Sequence, residues 1–242
     1  RRQRQMCIRD RFNHHAVRDR VKLSGVNSIN WGRIIAQVTY YFVAAAALGA
    51  PHRAVSFAVP TGNFGDIFAG YVARKMGLPV EKLVIATNSN DILARTLATG
   101  SYEMKQVIAT TSPSMDIQIS SNFERWLFEA GGRDGSLIRN QMASLAQGRR
   151  FDLAPGQYAA LKQTFGAARG SEDEIAAAIR RVKAESGYLM ETHTACAEIA
   201  CQRMGPDTAT PRVVLATAHP AKFPDAMAVS YTHLRAHETE AD

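Results

Sequence analysis

The heptapeptide at residues 60–66, Pro-Thr-Gly-Asn-Phe-Gly-Asp, combines residue types that bind anions. It follows Ala54–Val59, a β-branched and aromatic run typical of a buried parallel strand, and an apolar helical pattern begins at Ile67. A turn from strand to helix presents free backbone N–H groups at the positive end of the helix dipole, which suits a phosphate. A Cβ at Gly62 or Gly65 would block both the turn conformation and the approach of a ligand. Paired glycines also occur in such turns for purely steric reasons, so this motif alone leaves both interpretations open.

A second polar cluster lies upstream, at the start of a predicted helix over Trp31–Leu48. Asn27, Ser28 and Arg33 contribute an amide, a hydroxyl and a guanidinium. Either Asn27 or Ser28 alone is typical of a helix cap, but together with Arg33 they suit a phosphate or carboxylate. The predicted buried face of the helix is Ile34, Ile35, Val38, Tyr41, Phe42 and Ala45. Two anion sites on one sheet predict a phosphorylated cofactor beside a phosphorylated substrate.

The elements that must position these clusters form an alternating pattern. Predicted strands at Ala54–Val59, Lys82–Ala86 and Arg212–Ala216 alternate with helices, which is typical of a mostly parallel α/β sheet. The pattern from Asp134 to Met204 is almost all helical, and we expect a mainly helical insertion there, packed on the sheet. Gly166–Ser171 reads as a flexible link within it.

Composition narrows the class of protein. The chain has 242 residues, a formal charge of +7 and 46% hydrophobic residues, enough for a sizeable core. Its arginines are scattered rather than interleaved with aromatics along one face, so we expect no nucleic-acid partner. No apolar stretch is long enough to span a membrane, and we expect no membrane partner. The three cysteines form no disulfide framework or metal set, which favours the cytoplasm.

Several segments, in order, resemble one enzyme family: NSINWGRIIAQVTYYF, VSFAVPTGNFGDIFAGYVARKMGLP, TTSPSMDIQISSNFERWLFEA and ATAHPAKFPDAM. The chain closely resembles the threonine synthases, in their longer bacterial and fungal form, from about residue 12 to residue 227. The resemblance implies the tryptophan-synthase-β-like fold, fold type II of the pyridoxal-phosphate enzymes. It also implies a carbon–oxygen lyase that converts O-phosphohomoserine and water to threonine and phosphate with pyridoxal 5'-phosphate as cofactor.

The resemblance assigns roles residue by residue. Asn27, Ser28 and Arg33 match the positions that bind the substrate phosphate, and Thr217 matches the hydroxyl that faces the pyridine nitrogen of the cofactor. A neutral hydroxyl there leaves that nitrogen largely unprotonated, which favours elimination over transamination. The positions that cradle the cofactor phosphate are Gly62, Asn63, Phe64, Gly65 and Asp66, with Asn63 a candidate for both phosphates. His193, His219 and Lys222 also lie in segments that resemble the family. For these three residues a structural role is as good an interpretation as a role in the site.

The family's catalytic lysine, which binds the cofactor covalently, lies upstream of NSINW in the family, and no lysine of this chain stands in a matching context. We therefore interpret residues 12–228 as a partial catalytic domain that is inactive alone. Residues 1–11 and 229–242 fit no family pattern, and we expect them to be foreign sequence that packs poorly on the core. Two alternatives remain: another pyridoxal-phosphate lyase or dehydratase of the same fold, and a non-catalytic threonine-synthase-like protein that binds phosphate.

Overall fold

The computed structural model describes residues 16, 20, 27–205 and 210–228. The two ends expected to be foreign, 1–11 and 229–242, lie outside these residues. Within the described part, no helix combines the length and apolar character that crossing a membrane requires. The same part contains no group of three or more His, Cys, Asp or Glu side chains placed to hold a metal ion.

Helices and strands alternate through most of the described chain. The helices are α1 (Trp31–Ala47), α2 (Gly65–Lys75), α3 (Ile92–Thr99), α4 (Phe123–Ala130), α5 (Gly135–Gly148), α6 (Pro155–Thr164), α7 (Glu172–Ser186) and α8 (Thr192–Arg203). The strands are β1 (Val55–Pro60), β2 (Val80–Thr87), β3 (Ser101–Glu103), β4 (Arg150–Asp152), β5 (Phe165–Arg169) and β6 (Arg212–Val214). Two single 3-10 turns lie at Pro113–Met115 and Pro220–Lys222, and residues 224–228 are also helical.

Four of the strands form a parallel sheet in the order β5-β2-β1-β6, and β3 pairs with β4 in a separate antiparallel ribbon. The parallel α/β sheet predicted from the sequence is confirmed. Strands β1 and β2 bury both faces, because alternate side chains enter different cores. Phe57 and Leu83 enter the core that also contains residues of α1, α2 and α4, whereas Ala58 and Val84 enter the core beneath α7 and α8.

Strand β5 corrects the sequence interpretation. The segment Gly166–Ser171 was predicted to be a flexible link, but Phe165–Arg169 pairs with β2 as an edge strand of the main sheet. The segment 134–204 is mainly helical, as predicted, yet it supplies a strand of the sheet rather than only packing on it. Ser171 caps α7 with a reciprocal bond to Glu174.

Helix α1 orients the residues that precede and follow its N-terminus. Ile34, Val38, Tyr41 and Ala45 are buried, as their spacing predicted. Ile35 was predicted to be buried and is 59% exposed, so that part of the prediction is wrong. At about 100° per residue, Ile35 lies roughly 90° around the helix from the centre of the stripe formed by Ile34, Val38, Tyr41 and Ala45. It therefore stands at the margin of the buried face and not within it.

Candidate functional site

A cavity of about 660 Å3 lies at the carboxyl ends of β1 and β6. In parallel α/β sheets ligands bind at this edge, where loops from neighbouring strands meet. The cavity is lined by Pro60–Ile67 after β1, by Val213–Ala218 around the end of β6, and by one side of α1. Ser114, Met115 and His193 close another side, and Lys222 and Phe223 also line it.

All five residues of the Gly62–Asp66 turn line this cavity, and α2 begins within the turn at Gly65. The first N–H groups of a helix have no acceptor inside it, and Phe64, at the N-cap position, provides no side-chain acceptor. These donors stand at the positive end of the α2 dipole, where an anion is stabilised. The local geometry therefore suits a phosphate group.

The reason for glycine in this turn differs in part from the one expected. The residue in the left-handed region is Phe64, at φ 61°, whereas neither Gly62 nor Gly65 has a positive φ. Close approach excludes a side chain at Gly62, where a Cβ would lie 2.8 Å from the carbonyl oxygen of Ser114. At Gly65 a Cβ would be crowded, at 3.3 Å from Asn122 Nδ2. The prediction that these glycines are needed for the conformation of the turn is thus wrong. The prediction that a Cβ would be too close to a neighbouring group holds, but that neighbour is the protein itself.

The left-handed conformation of Phe64 is maintained by its side chain. The ring is buried and makes edge-on contacts with Phe123 at 5.2 Å and Phe165 at 5.4 Å between centroids. Such packing offsets the cost of a left-handed backbone in a residue with a Cβ. Phe165 begins β5, so the edge strand missed in the sequence helps to hold the turn.

Residues 120–122 hold the same turn by hydrogen bonds. Ser120 Oγ donates to the carbonyl of Gly62, and the Asn122 N–H donates to the carbonyl of Asn63 at 3.0 Å. The buried Asn122 side chain donates from Nδ2 to the carbonyls of Asn63 at 3.0 Å and of Ser28 at 2.9 Å. One amide thus joins the glycine turn to the segment that precedes α1.

The second predicted cluster is brought to the cavity in part. Ser28 and Arg33 line it, and Arg33 is exposed. Asn27 is exposed outside the lining, where its Oδ1 accepts the N–H of Ile29 at 3.1 Å. Neither Asn27 nor Ser28 caps α1, because the cap is Asn30, whose Oδ1 accepts the N–H of Gly32 at 2.9 Å.

The remaining predicted site residue, Thr217, lines the cavity from the segment after β6 and is exposed. Strand β6 pairs with β1 in parallel, so Thr217 and the glycine turn both follow the carboxyl ends of adjacent strands. His219 lies outside the lining and caps the turn Pro220–Lys222 by accepting the N–H of Ala221 at 3.2 Å. Lys222 lines the cavity, with Nζ 5.4 Å from the centre of the Phe223 ring.

A partly buried carboxyl lies within the Gly62–Asp66 turn. The hydroxyl of Tyr41 lies 2.8 Å from the main-chain oxygen of Asp66 and 3.3 Å from its Oδ1. Burial raises the pKa of Asp66 to about 6, and the hydrogen bond from Tyr41 opposes part of that rise. The group of Asp66 that suits an anion is therefore its N–H, because its ionised side chain would repel a phosphate.

The sequence interpretation did not assign a site role to Glu191 or Ser114, and it left His193 in a supporting position. Glu191 Oε2 lies 2.5 Å from His193 Nδ1, and His193 Nε2 accepts the N–H of Ser114 at 3.1 Å. Burial alone raises the pKa of Glu191, but hydrogen bonds from His193 and Thr194 outweigh it and hold that pKa below its usual value. The sequence Glu-Thr-His-Thr at 191–194 could have indicated this arrangement, because Glu191 is the N-cap of α8.

Comparisons with known proteins show which sequences and structures the chain is similar to. A family model described as "Threonine synthase, C-terminal" matches residues 194–239. The match enters the segment 229–242 and gives no support to its interpretation as foreign sequence. Threonine synthase from Pseudomonas aeruginosa is 45% identical over 206 residues, which are 85% of this chain and 44% of that protein. The chain thus spans about half the length of such relatives.

Solved structures give the same result. The crystal structure of threonine synthase from Brucella melitensis with bound PLP (pyridoxal 5'-phosphate) is 56% identical, with a TM-score of 0.88 over 93% of this chain and 48% of that one. Maize serine racemase, at 14% identity and a TM-score of 0.53, shares the fold alone, over 94% of this chain and 60% of its own. The parallel sheet with flanking helices and its edge cavity therefore define a chain of the fold-type II class of pyridoxal-phosphate enzymes.

Within that class, the similar proteins above 30% identity include threonine synthases from bacteria and yeast. They also include threonine synthase-like 1 of Homo sapiens, which is 37% identical over 85% of this chain and 28% of that protein. The chain corresponds to the C-terminal portion of the threonine synthase family.

Proposed function

We propose that the chain is a portion of a threonine synthase and contributes the phosphate-binding parts of its active site. The whole enzyme would convert O-phosphohomoserine and water to threonine and phosphate. One observation carries the proposal: Ser28, Arg33, the Gly62–Asp66 turn and Thr217 line one cavity at the edge of the sheet where such enzymes bind ligands. Anion donors on two of its sides suit a phosphorylated cofactor and a phosphorylated substrate together.

The residues present fit pyridoxal 5'-phosphate. The turn offers N–H groups at a helix N-terminus, and Gly62 keeps it free of a Cβ that would collide with Ser114. In this assignment Gly62, Asn63, Phe64, Gly65 and Asp66 hold the cofactor phosphate, and the hydroxyl of Thr217 hydrogen-bonds the ring nitrogen. When bound, the cofactor supplies an electron-withdrawing ring that stabilises negative charge at the reacting carbon of the amino acid.

The substrate phosphate is assigned to the start of α1. Arg33 presents a planar, permanently charged fork that binds phosphate oxygens in pairs, and Ser28 adds a hydroxyl on the same side of the cavity. Asn27 keeps its proposed role in this cluster through its Nδ2 donor, because the contact with the N–H of Ile29 uses only Oδ1. Gripping the phosphate orients its ester bond for cleavage and fixes the amino acid above the cofactor.

We also propose that the isolated chain is inactive. Of the lysines in the described residues, Lys222 lines the cavity. It lies in the segment after β6, as Thr217 does, and not in the sequence context of the family's catalytic lysine. Mixed with pyridoxal phosphate and O-phosphohomoserine, the 242-residue chain should release no phosphate. Turnover by this chain would contradict the assignment of the catalytic lysine to sequence outside it.

The test of the two sites is an Arg33→Ala variant, with Arg139→Ala as control, because Arg139 is an exposed arginine bound to Ser136 outside the cavity lining. Calorimetric titrations would measure O-phosphohomoserine, homoserine and pyridoxal phosphate against each protein. Arg33→Ala should lower the affinity for O-phosphohomoserine by about ten- to a hundredfold, which is the contribution expected of a charge-assisted contact. Homoserine and cofactor affinities should be unchanged, and the control should match the wild type.

Each contrary result has a defined meaning. Loss of cofactor binding with unchanged O-phosphohomoserine affinity would exchange the two phosphate assignments. A wild type that binds homoserine as well as its phosphate ester would favour another lyase or dehydratase of this fold. A non-catalytic phosphate-binding protein would follow if the longer parent sequence lacks a lysine in the family's catalytic context.

A further inference from the structure

The pair Glu191–His193 lies where three segments around the cavity meet. His193 is 3% exposed and Glu191 is fully buried. The imidazole contacts the turn Pro113–Met115 through the N–H of Ser114, and its ring packs on Phe223 with centroids 4.7 Å apart. The pair thus connects the start of α8 to two separate parts of the cavity lining.

The hydrogen bonds define the tautomer of the imidazole. Because the N–H of Ser114 donates to Nε2, that nitrogen carries a lone pair and Nδ1 carries the proton, which it donates to Glu191. Glu191 also accepts the N–H of His193 at 2.8 Å and the N–H and hydroxyl of Thr194, each at 2.7 Å. A carboxylate held by four donors at the end of a helix cannot turn, and the ring bound to it is fixed in orientation.

The turn held by His193 is the one that presses on the glycine turn. The carbonyl of Ser114 and the Cα of Met115 would lie 2.8 Å and 3.3 Å from a Cβ on Gly62, so the two backbones are in direct contact at that position. Met115 is buried, and Ser114 lines the cavity beside Gly62. A shift of the turn would therefore change the shape of the anion-binding end.

We propose that His193, oriented by Glu191, is a positioning residue that holds the turn Pro113–Met115 against Gly62 and so shapes the phosphate-binding end of the cavity. Nε2 is occupied by the N–H of Ser114, so the ring has no free lone pair for proton transfer and acts through the backbone it holds. That this end receives the cofactor phosphate rests on the proposed function, whereas the contacts themselves do not.

The test compares His193→Ala with His219→Ala. His219 is a matched control, because its ring also accepts a backbone N–H within a 3-10 turn but is exposed and outside the cavity lining. Amide hydrogen exchange on the ligand-free chain is the first readout. His193→Ala should accelerate exchange of the Ser114 amide by about tenfold or more, as one lost hydrogen bond predicts. The amides of 62–66 should also exchange faster, and His219→Ala should leave both regions unchanged.

The second readout is the ratio of the affinities for pyridoxal phosphate and for pyridoxal, which lacks the phosphate. His193→Ala should lower this ratio by about tenfold, since the misplaced turn affects the phosphate end alone. A residue with only a structural role would lower stability and leave the ratio unchanged. His193→Gln, whose amide carries both a donor and an acceptor, should recover part of the ratio, and it replaces His193→Ala if that variant does not fold.

The outcomes separate the two proposals. Unchanged exchange at Ser114 and 62–66 in a folded variant would overturn the positioning role, as would an unchanged affinity ratio in a variant of a wild type that prefers the phosphate ester. A wild type that binds pyridoxal as tightly as pyridoxal phosphate would instead contradict the cofactor assignment, and the exchange measurement would still decide the role of His193.

Discussion

The cavity wall formed by Gly62–Asp66 is supported from behind by buried groups, whereas the wall formed by Arg33 and Thr217 is open to solvent. Behind the glycine turn lie the rings of Phe123 and Phe165 and the hydrogen bonds of residues 120–122. Arg33 and Thr217 are both exposed. We call these the closed wall and the open wall.

The difference indicates how the two anion sites obtain their affinity. On the closed wall, backbone donors are fixed before a ligand arrives, so little ordering is needed on binding. On the open wall, a flexible arginine must be ordered by its ligand, and solvent screens its charge until then. Changes that disturb the packing or hydrogen bonds behind the closed wall should therefore lower stability and binding together, whereas Arg33→Ala should lower binding alone.

The largest effect is expected for Gly62→Ala. The new Cβ would lie 2.8 Å from a backbone oxygen of Ser114, so one of the two turns must move. We expect a loss of about 3 kcal/mol in the free energy of unfolding, at the upper end for overpacking, and loss of pyridoxal phosphate binding. Urea denaturation and a cofactor titration would measure both.

The control for that change is Gly156→Ala. Gly156 lies in α6, and a Cβ there meets nothing within 4 Å. Replacing a helical glycine by alanine should stabilise the fold by up to about 1 kcal/mol and leave cofactor affinity unchanged. Equal losses in the two variants would mean that close packing at Gly62 is not what holds the closed wall.

A smaller effect, with a pH dependence, is expected at Asp66. Its pKa is raised by burial from 3.8 to about 6, so the folded state holds the proton more tightly than the unfolded chain does. The resulting stability is complete below about pH 4 and is lost as the pH rises through about 6. Asp66→Asn keeps a neutral side chain, so its stability relative to wild type should grow between pH 4 and pH 7, by on the order of 2 kcal/mol.

Denaturation at several pH values measures that difference. Tyr41→Phe removes the hydroxyl that donates to Asp66, so the pKa of Asp66 should rise further and the pH range of the loss should extend upward. A constant difference between Asp66→Asn and wild type from pH 4 to pH 8 would show that this carboxyl is not buried as the closed wall requires.

The sequence predicted those parts of the site that depend on local pattern. The strand before Pro60, the helix after the turn and the buried stripe of α1 follow from spacing and residue type. Strand β5 was missed because its sequence, Phe-Gly-Ala-Ala-Arg, has low strand propensity. Its pairing with β2 is a tertiary contact between segments about 80 residues apart, and it overrides that propensity.

The supports of the closed wall were missed for a related reason. Asn122 and His193 act on main-chain groups that are 59 and 79 residues away. Every residue has such groups, so residue types at either position carry no sign of the partner. The steric need for glycine at 62 could be predicted in kind, but its neighbour, Ser114, could be identified only from the fold.

The smallest of the three effects is expected at Asn122, which joins the two walls. Its side-chain amide donates to Asn63 on the closed wall and to Ser28 beside the open wall, and its Oδ1 accepts from Arg125 Nε at 3.1 Å. Asn122→Ala leaves two carbonyls without this donor, which should cost about 1–2 kcal/mol of stability. The loss should also lower the affinities for pyridoxal phosphate and for O-phosphohomoserine, because the same amide supports both anion sites.

Gln157→Ala is the matched control for this prediction. Gln157 is also buried, its amide donates to the carbonyl of Leu127 at 3.0 Å, and its Oε1 accepts the N–H of Ala154 at 3.0 Å, in a network outside the cavity lining. Its loss should lower stability by a similar amount and change neither affinity. If Asn122→Ala weakens only the cofactor, the start of α1 is positioned without the closed wall and the two walls are independent. If it weakens the binding of both ligands while Gln157→Ala weakens the binding of neither, the open wall depends on the closed one through this single amide.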